Sequence, residues 1–179
     1  MRLLGSDGAC FELSLLGWQH PRGASNEIDA NRLKVRLSLA SDDGAWVEIV
    51  PCLVAWEVER LADWLEALAA HRGTDAEQRF LEPDLWFRIL PASGIARVLR
   101  VGIDLRARRP AGVAAPVGEI AIALGDEELA AAARGMRAQA RRFPARKALY
   151  GSVGAGPPAA GYAQSMRRTR LSSCARRTG

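Results

Sequence analysis

The side chains able to do acid–base or metal chemistry are few and widely spaced in this chain. Its two histidines are His20, ahead of Pro21, and His71, at the end of an apolar repeat. Neither belongs to a HExxH motif or stands near a second ligand or a nucleophile motif, and no GxSxG occurs. His71 suits the negative end of a helix, which favours a cation. The glycines of GSVGAG, 151–156, follow no strand pattern and open no helix pattern, so they lack the context of a phosphate cradle. Glu82 and Asp84 flank Pro83 in FLEPDL. Two carboxylates held close with pKa values pushed apart make an acid–base pair; a solvated strand junction, with Asp84 capping a turn, is the other reading. The sequence therefore names no catalytic residue, no metal ligand and no cofactor.

Charge points away from a nucleic-acid-binding domain. The chain has 25 basic and 20 acidic residues, but five of its arginines lie beyond residue 149, where there are no acids. Residues 1–149 are thus balanced at 20 against 20, and a folded domain without net positive charge is a poor match for phosphate. Residues 150–179 are Gly, Ala, Pro, Ser and Arg with few large apolar side chains, a composition expected to be disordered. That basic tail carries Arg167, Arg168 and Arg170, a candidate nucleic-acid contact through counterion release, with Tyr162 as an aromatic available for stacking.

Two domain-scale regions follow: a single folded unit over 1–149 and the tail over 150–179. The N-terminal segment breaks its apolar residues with Ser6, Asp7 and Glu12, and no apolar run reaches the ~20 residues of a membrane span, so a cytoplasmic address is expected. Of three cysteines, Cys10 and Cys52 are expected as small core residues.

The elements that position these groups show in the hydrophobic period. CFELSLL (10–16) and RLKVRLSLA (32–40) alternate as strands, and a turn at Ser41–Gly44 returns the second into AWVEIV as a hairpin. A helix over about 54–71 carries Val54, Val58, Leu61, Leu65 and Leu68 on one stripe. RFLEPDLWFRIL has strand character on both sides of Pro83, which belongs at an edge or a bulge because it has no N–H to donate. IARVLRVGIDLRA and EIAIAL continue as strands. Asp126 is placed as the N-cap of a second helix that Pro144 stops, with Leu129, Ala133, Met136 and Ala140 as its buried stripe. The class is α+β: an antiparallel sheet of about six strands with two helices packed on one face.

The start of the first helix, VAWEVERLADWLE, turns a tryptophan out and a carboxylate in. On the wheel Trp56 falls among the acids while Glu57 lies at the edge of the apolar arc. A carboxylate in a first turn can meet backbone N–H groups that lack partners, which explains Glu57. Trp56 either folds back to close the helix start or stands as a partly exposed interface anchor, a role in which Trp is over-represented. Glu59, Asp63 and Glu66 align on the exposed face. They form either an ordinary solvated surface or an acidic docking face for a basic partner.

The run DGAWVEIVPCLVAWEVERLADWLEAL, followed by FLEPDLWFRIL and RRFP, resembles the WapI-type immunity proteins. The resemblance rests on Trp46, Pro51, Leu53, Trp56, Glu57, Leu61, Trp64, Leu65, Phe80, Glu82, Pro83, Leu85, Phe87, Phe143 and Pro144, with Asp29, Asn31 and Leu33 ahead of them. Position 32, where that pattern has a Trp, is Arg32. The resemblance covers about residues 10–146. It implies a non-catalytic bacterial protein that binds and neutralises a cognate toxin domain, with Glu57, Trp64, Glu82 and Pro83 among its motif residues. The helix reading then makes Trp56, Glu59, Asp63 and Glu66 the candidate partner contacts. Toxins of this type are often nucleases, and an acidic helix face suits their basic surfaces. The alternative function is association with nucleic acid through the tail.

Overall fold

In the computed structural model, residues 1–5, 8–42, 44–72, 75–90, 97–108 and 117–148 are described. The tail arginines Arg167, Arg168 and Arg170 and the boundary at 149–150 lie outside them.

Alternation in the sequence becomes alternation of burial. In β3 (Arg32–Ser41), Leu33, Val35, Leu37 and Leu39 point inward while Lys34 and Arg36 face solvent. β3 pairs antiparallel with β2 (Cys10–Trp18) on one side and β4 (Gly44–Val54) on the other, and β1 (Arg2–Leu4) completes the sheet in the order β1-β2-β3-β4. Gly44 sits at φ +132°, a region glycine enters without strain, where Ser41 pairs with it to close the β3–β4 hairpin.

A second sheet holds β5 (Glu77–Arg79), β6 (Leu85–Leu90), β7 (Arg97–Asp104) and β8 (Val117–Leu124) in that order, all antiparallel. The α+β class stands, but the strands among the described residues number eight and divide into two sheets of four, not one sheet of about six. Side-chain alternation reports which face of a strand is buried, and carries no record of which strand is its neighbour.

Among the described residues three α-helices accompany the sheets: α1 (Glu27–Asn31), α2 (Ala55–Ala69) and α3 (Asp126–Arg142). α3 packs along α2 and reaches β1 and β8, whose edges approach each other. Phe87 of β6 marks where the layers meet. Its ring lies 5.7 Å from Phe11 of β2, 6.0 Å from Phe80 and 6.4 Å from Trp64 of α2. The result is one continuous core that also takes in Leu129, Ala133, Met136 and Ala140 of α3.

Several local expectations change. Pro83 lies in the turn between β5 and β6, where a missing N–H costs nothing, and not at a strand edge or bulge. Cys10 is only half-buried, because Phe11 takes the inward position beside it; Cys52 is fully buried. The N-cap of α3 is Gly125, and Asp126 turns its carboxylate to His71 (2.7 Å) and Arg97 (3.3 Å). Glu128 meets the Gly125 N–H at 3.0 Å instead.

Candidate functional site

The start of α2 is built on Glu57. Its side chain is buried at 2% exposure. One carboxylate oxygen accepts from the backbone N–H of Val54 (3.0 Å) and the other from that of Leu81 (2.6 Å). The first bond is half of a capping box. The reciprocal half is missing, because the N-cap residue, Val54, has no side-chain acceptor. The second bond fastens the helix to the loop before β6. Arg60, one turn on, lies 3.6 Å from the Glu57 carboxylate and donates to the Arg79 carbonyl at 2.5 Å.

That loop is pinned from its other side by Glu82 and Asp84. Asp84 is 1% exposed, and Arg108 donates to it from two nitrogens at 2.9 and 2.6 Å while also reaching Glu82 at 2.7 Å. Arg32 completes the cluster by pairing with Glu82, and stands 3.4 Å from Asp29. The Arg108 guanidinium is pushed up, first by its hydrogen bond to Asp84. With an arginine on each carboxylate the pair is charge-compensated. Burial, reinforced by Asp84, pushes the nearby Cys52 thiol well above the usual range.

Trp64 is buried at 5% exposure, and its indole N–H donates to the Asp75 carbonyl at 2.8 Å. Trp56 behaves differently, leaving 37% of its surface open beside the buried Glu57. The capping expectation for Glu57 is met, while Trp56 beside it stays more than a third exposed.

Glu59, Asp63 and Glu66 are all exposed along α2, as their spacing predicts. Arg137 of α3, however, lies across two of them. It reaches Asp63 at 2.6 Å and Glu66 at 2.5 Å, and Arg72 stands 3.8 Å from Glu66. Hydrogen bonding to Arg137 holds the Glu66 carboxyl below its ordinary pKa. A groove of about 460 Å³ runs beside this latch, with Arg60 and Arg72 among its walls. A smaller hollow of about 200 Å³ lies between Glu59, Asp63 and Arg141. The face is mixed in charge, and among the described residues Glu59 alone of the three acids has no ion-pair partner.

A third cluster ties down the chain after α3. Asn31, fully buried, donates to the Glu27 and Arg146 carbonyls (2.9 and 2.7 Å) and accepts from the Arg146 N–H (2.6 Å). The Arg146 guanidinium stacks 3.8 Å from the Trp18 ring and donates to the carbonyls of His20, Pro21 and Ala30. Phe143 meets Trp18 edge-on at 5.8 Å. His20 thus serves through its backbone, and His71 through Asp126 and Arg97.

The partners that sequence reasoning missed are Arg32, Arg108, Arg137 and Arg146. Each lies far along the chain from at least one group it holds, and 23 arginines offered no local signal to choose among them. Among the described residues no three His, Cys, Asp or Glu side chains gather as a metal site. No helix there is long and apolar enough to cross a membrane.

These clusters sit on the residues that carry the resemblance, and the sequence signature of the immunity protein WapI-like family matches residues 2–144, from β1 to Pro144 just after α3. The chain belongs to the WapI-like immunity protein family. Comparison with curated proteins and with solved structures gave no match. Within this WapI-like domain, Glu57, Glu82, Phe87 and Phe143 each join two or more elements. Arg32 shares Glu82 with Arg108.

Proposed function

We propose that this WapI-like chain is a non-catalytic immunity protein that binds a cognate toxin domain in the bacterial cytoplasm, and that it does so through the exposed start of α2. The observation that carries this reading is the mounting of Trp56. An indole more than a third exposed projects from a helical turn whose other side chain, Glu57, is locked at both oxygens. A partly exposed aromatic with a charged rim has the anatomy of a binding hot spot.

Glu59, one turn from Trp56, is the carboxylate open to a basic group on the toxin. Asp63 and Glu66 contribute with Arg137 as a mixed-charge rim, so a partner must displace or share that arginine. This makes the contact less salt-sensitive than an all-acidic face would be.

The test is a titration of the full chain with toxin C-terminal domains of this class by calorimetry. A one-to-one complex that Trp56→Ala weakens tenfold or more, with Glu59→Lys weakening it further, agrees with the proposal. A complex indifferent to both changes places the contact elsewhere.

A further inference from the structure

Leu81 stands in the loop between β5 and β6 with 53% of its surface open, and three contacts fix its place. Its backbone N–H donates to Glu57 at 2.6 Å. Two residues earlier, the Arg79 carbonyl accepts from Arg60 at 2.5 Å. Between them Phe80 is buried, its ring 6.0 Å from that of Phe87, which leaves Leu81 at the surface.

An exposed leucine alone is ordinary. This one is tied to the turn that carries Trp56. Side chains three or four apart on a helix are surface neighbours, so Arg60 adjoins both Trp56 and Glu57. Glu57 and Arg60 lay residues 79–81 along that patch of α2. Two exposed apolar side chains, Trp56 and Leu81, therefore rise from one tethered platform.

Charge differs on its two sides. Glu59 adjoins Trp56 away from the loop, exposed and without an ion-pair partner among the described residues. On the loop side Arg60 and Arg79 are exposed. Arg79 stands 2.8 Å from Glu77, which also faces Arg88 at 3.3 Å, so one carboxylate serves two arginines. Among the described residues Arg60 pairs with Glu57 alone, at 3.6 Å, and both oxygens of that carboxylate already accept backbone N–H groups. The loop side carries spare positive charge and the Glu59 side spare negative charge.

We propose that Leu81 is a second anchor of the toxin contact, and that the toxin domain lays an apolar side chain across Trp56 and Leu81, with a basic group towards Glu59 and an acidic group towards Arg60 and Arg79. This rests on the toxin-binding reading above. An ordered pair of opposite charges about an apolar centre selects one orientation of the partner, which a uniformly acidic face does not.

Calorimetric titration of the full chain with toxin C-terminal domains of this class tests it. Leu81→Ala keeps the N–H that Glu57 holds, so the variant is expected to unfold near the native temperature and to bind about fivefold or more weakly. A cycle with Trp56→Ala is expected to be non-additive, because both side chains meet one toxin group. Arg79→Glu is expected to weaken the complex about threefold or more. A complex weakened by Trp56→Ala but indifferent to Leu81→Ala, or one that Arg79→Glu leaves unchanged or tightens, overturns this proposal and leaves the toxin reading standing. A native chain that binds none of these domains overturns both.

Discussion

The carboxylate of Glu57 reaches from the first turn of α2 to the backbone N–H of Leu81, 2.6 Å away, while its other oxygen takes the N–H of Val54. One side chain therefore caps a helix and fastens a loop 24 residues along the chain. Replacement by alanine leaves the buried Val54 N–H and the part-buried Leu81 N–H without acceptors, a penalty of about 1–3 kcal/mol for the first and less for the second. Glu57→Ala is expected to lower unfolding free energy by about 2–4 kcal/mol in urea denaturation. Glu57→Gln should fall between, because its amide offers one acceptor where the carboxylate offered two. A Glu57→Ala chain as stable as the native one would remove this residue from the account of the fold.

The segment after α3 depends on Asn31 in a comparable way. Its amide bonds both backbone groups of Arg146, 115 residues away. Asn31→Ala is expected to release residues 143–148, seen as fast amide exchange at Arg146, with a stability loss of about 1–3 kcal/mol. Slow exchange at Arg146 in that variant would mean the Trp18 stack alone holds the segment.

A close approach limits Gly102 in β7. A Cβ there would lie 2.0 Å from the Trp86 ring carbons. Gly102→Ala must push the indole from its place over β7, at a cost of about 1–3 kcal/mol typical of overpacking. Pairing it with Trp86→Leu should recover part of the loss, and a double-mutant cycle reads that coupling directly.

Acid sensitivity has an identifiable surface contributor. Side-chain and backbone hydrogen bonds from Arg106 hold the Asp104 carboxyl at about 2, against an ordinary 3.8. A carboxyl depressed in the folded state favours folding above its unfolded pKa and loses that contribution as pH falls through the folded value. The window is therefore from about pH 4 down to about 2. Arg106→Ala is expected to raise the Asp104 midpoint part of the way to the ordinary range in a carboxyl-carbon titration by NMR, the retained backbone N–H of residue 106 keeping the rest of the shift, and an unchanged midpoint would assign the shift to another cause.

How far the sequence foretold all this follows from the range of each interaction. α2 and β3 were legible because Val58, Leu61 and Leu65 repeat at helical spacing and Leu33, Val35 and Leu37 at strand spacing, and each pattern is local. β1 and α1 escaped notice, being three and five residues long, too short for a period to declare itself. For α1 the signal that existed was Asn26, whose side chain accepts from the Asp29 N–H. The division into two sheets was not legible, since it is set by which strands pair, a choice that strand periodicity does not record.

The candidate site was half legible for the same reason. The wheel placed Glu57 inward and Glu59, Asp63 and Glu66 outward. What it could not place was Arg137, which arrives on a separate helix 71 residues beyond Glu66. An acidic stripe seen on one helix became a mixed-charge face once its neighbour was packed against it.

The most direct test of the central claim is the affinity of the full chain for a cognate toxin C-terminal domain, measured by calorimetry with and without Trp56→Ala. The account predicts a stoichiometric complex that loses tenfold or more in affinity on that change, while thermal unfolding of the variant stays near native, since the indole is partly exposed. Binding at undiminished strength by a folded Trp56→Ala chain would contradict the placement of the interface. Failure to bind such domains at all would contradict the immunity function itself.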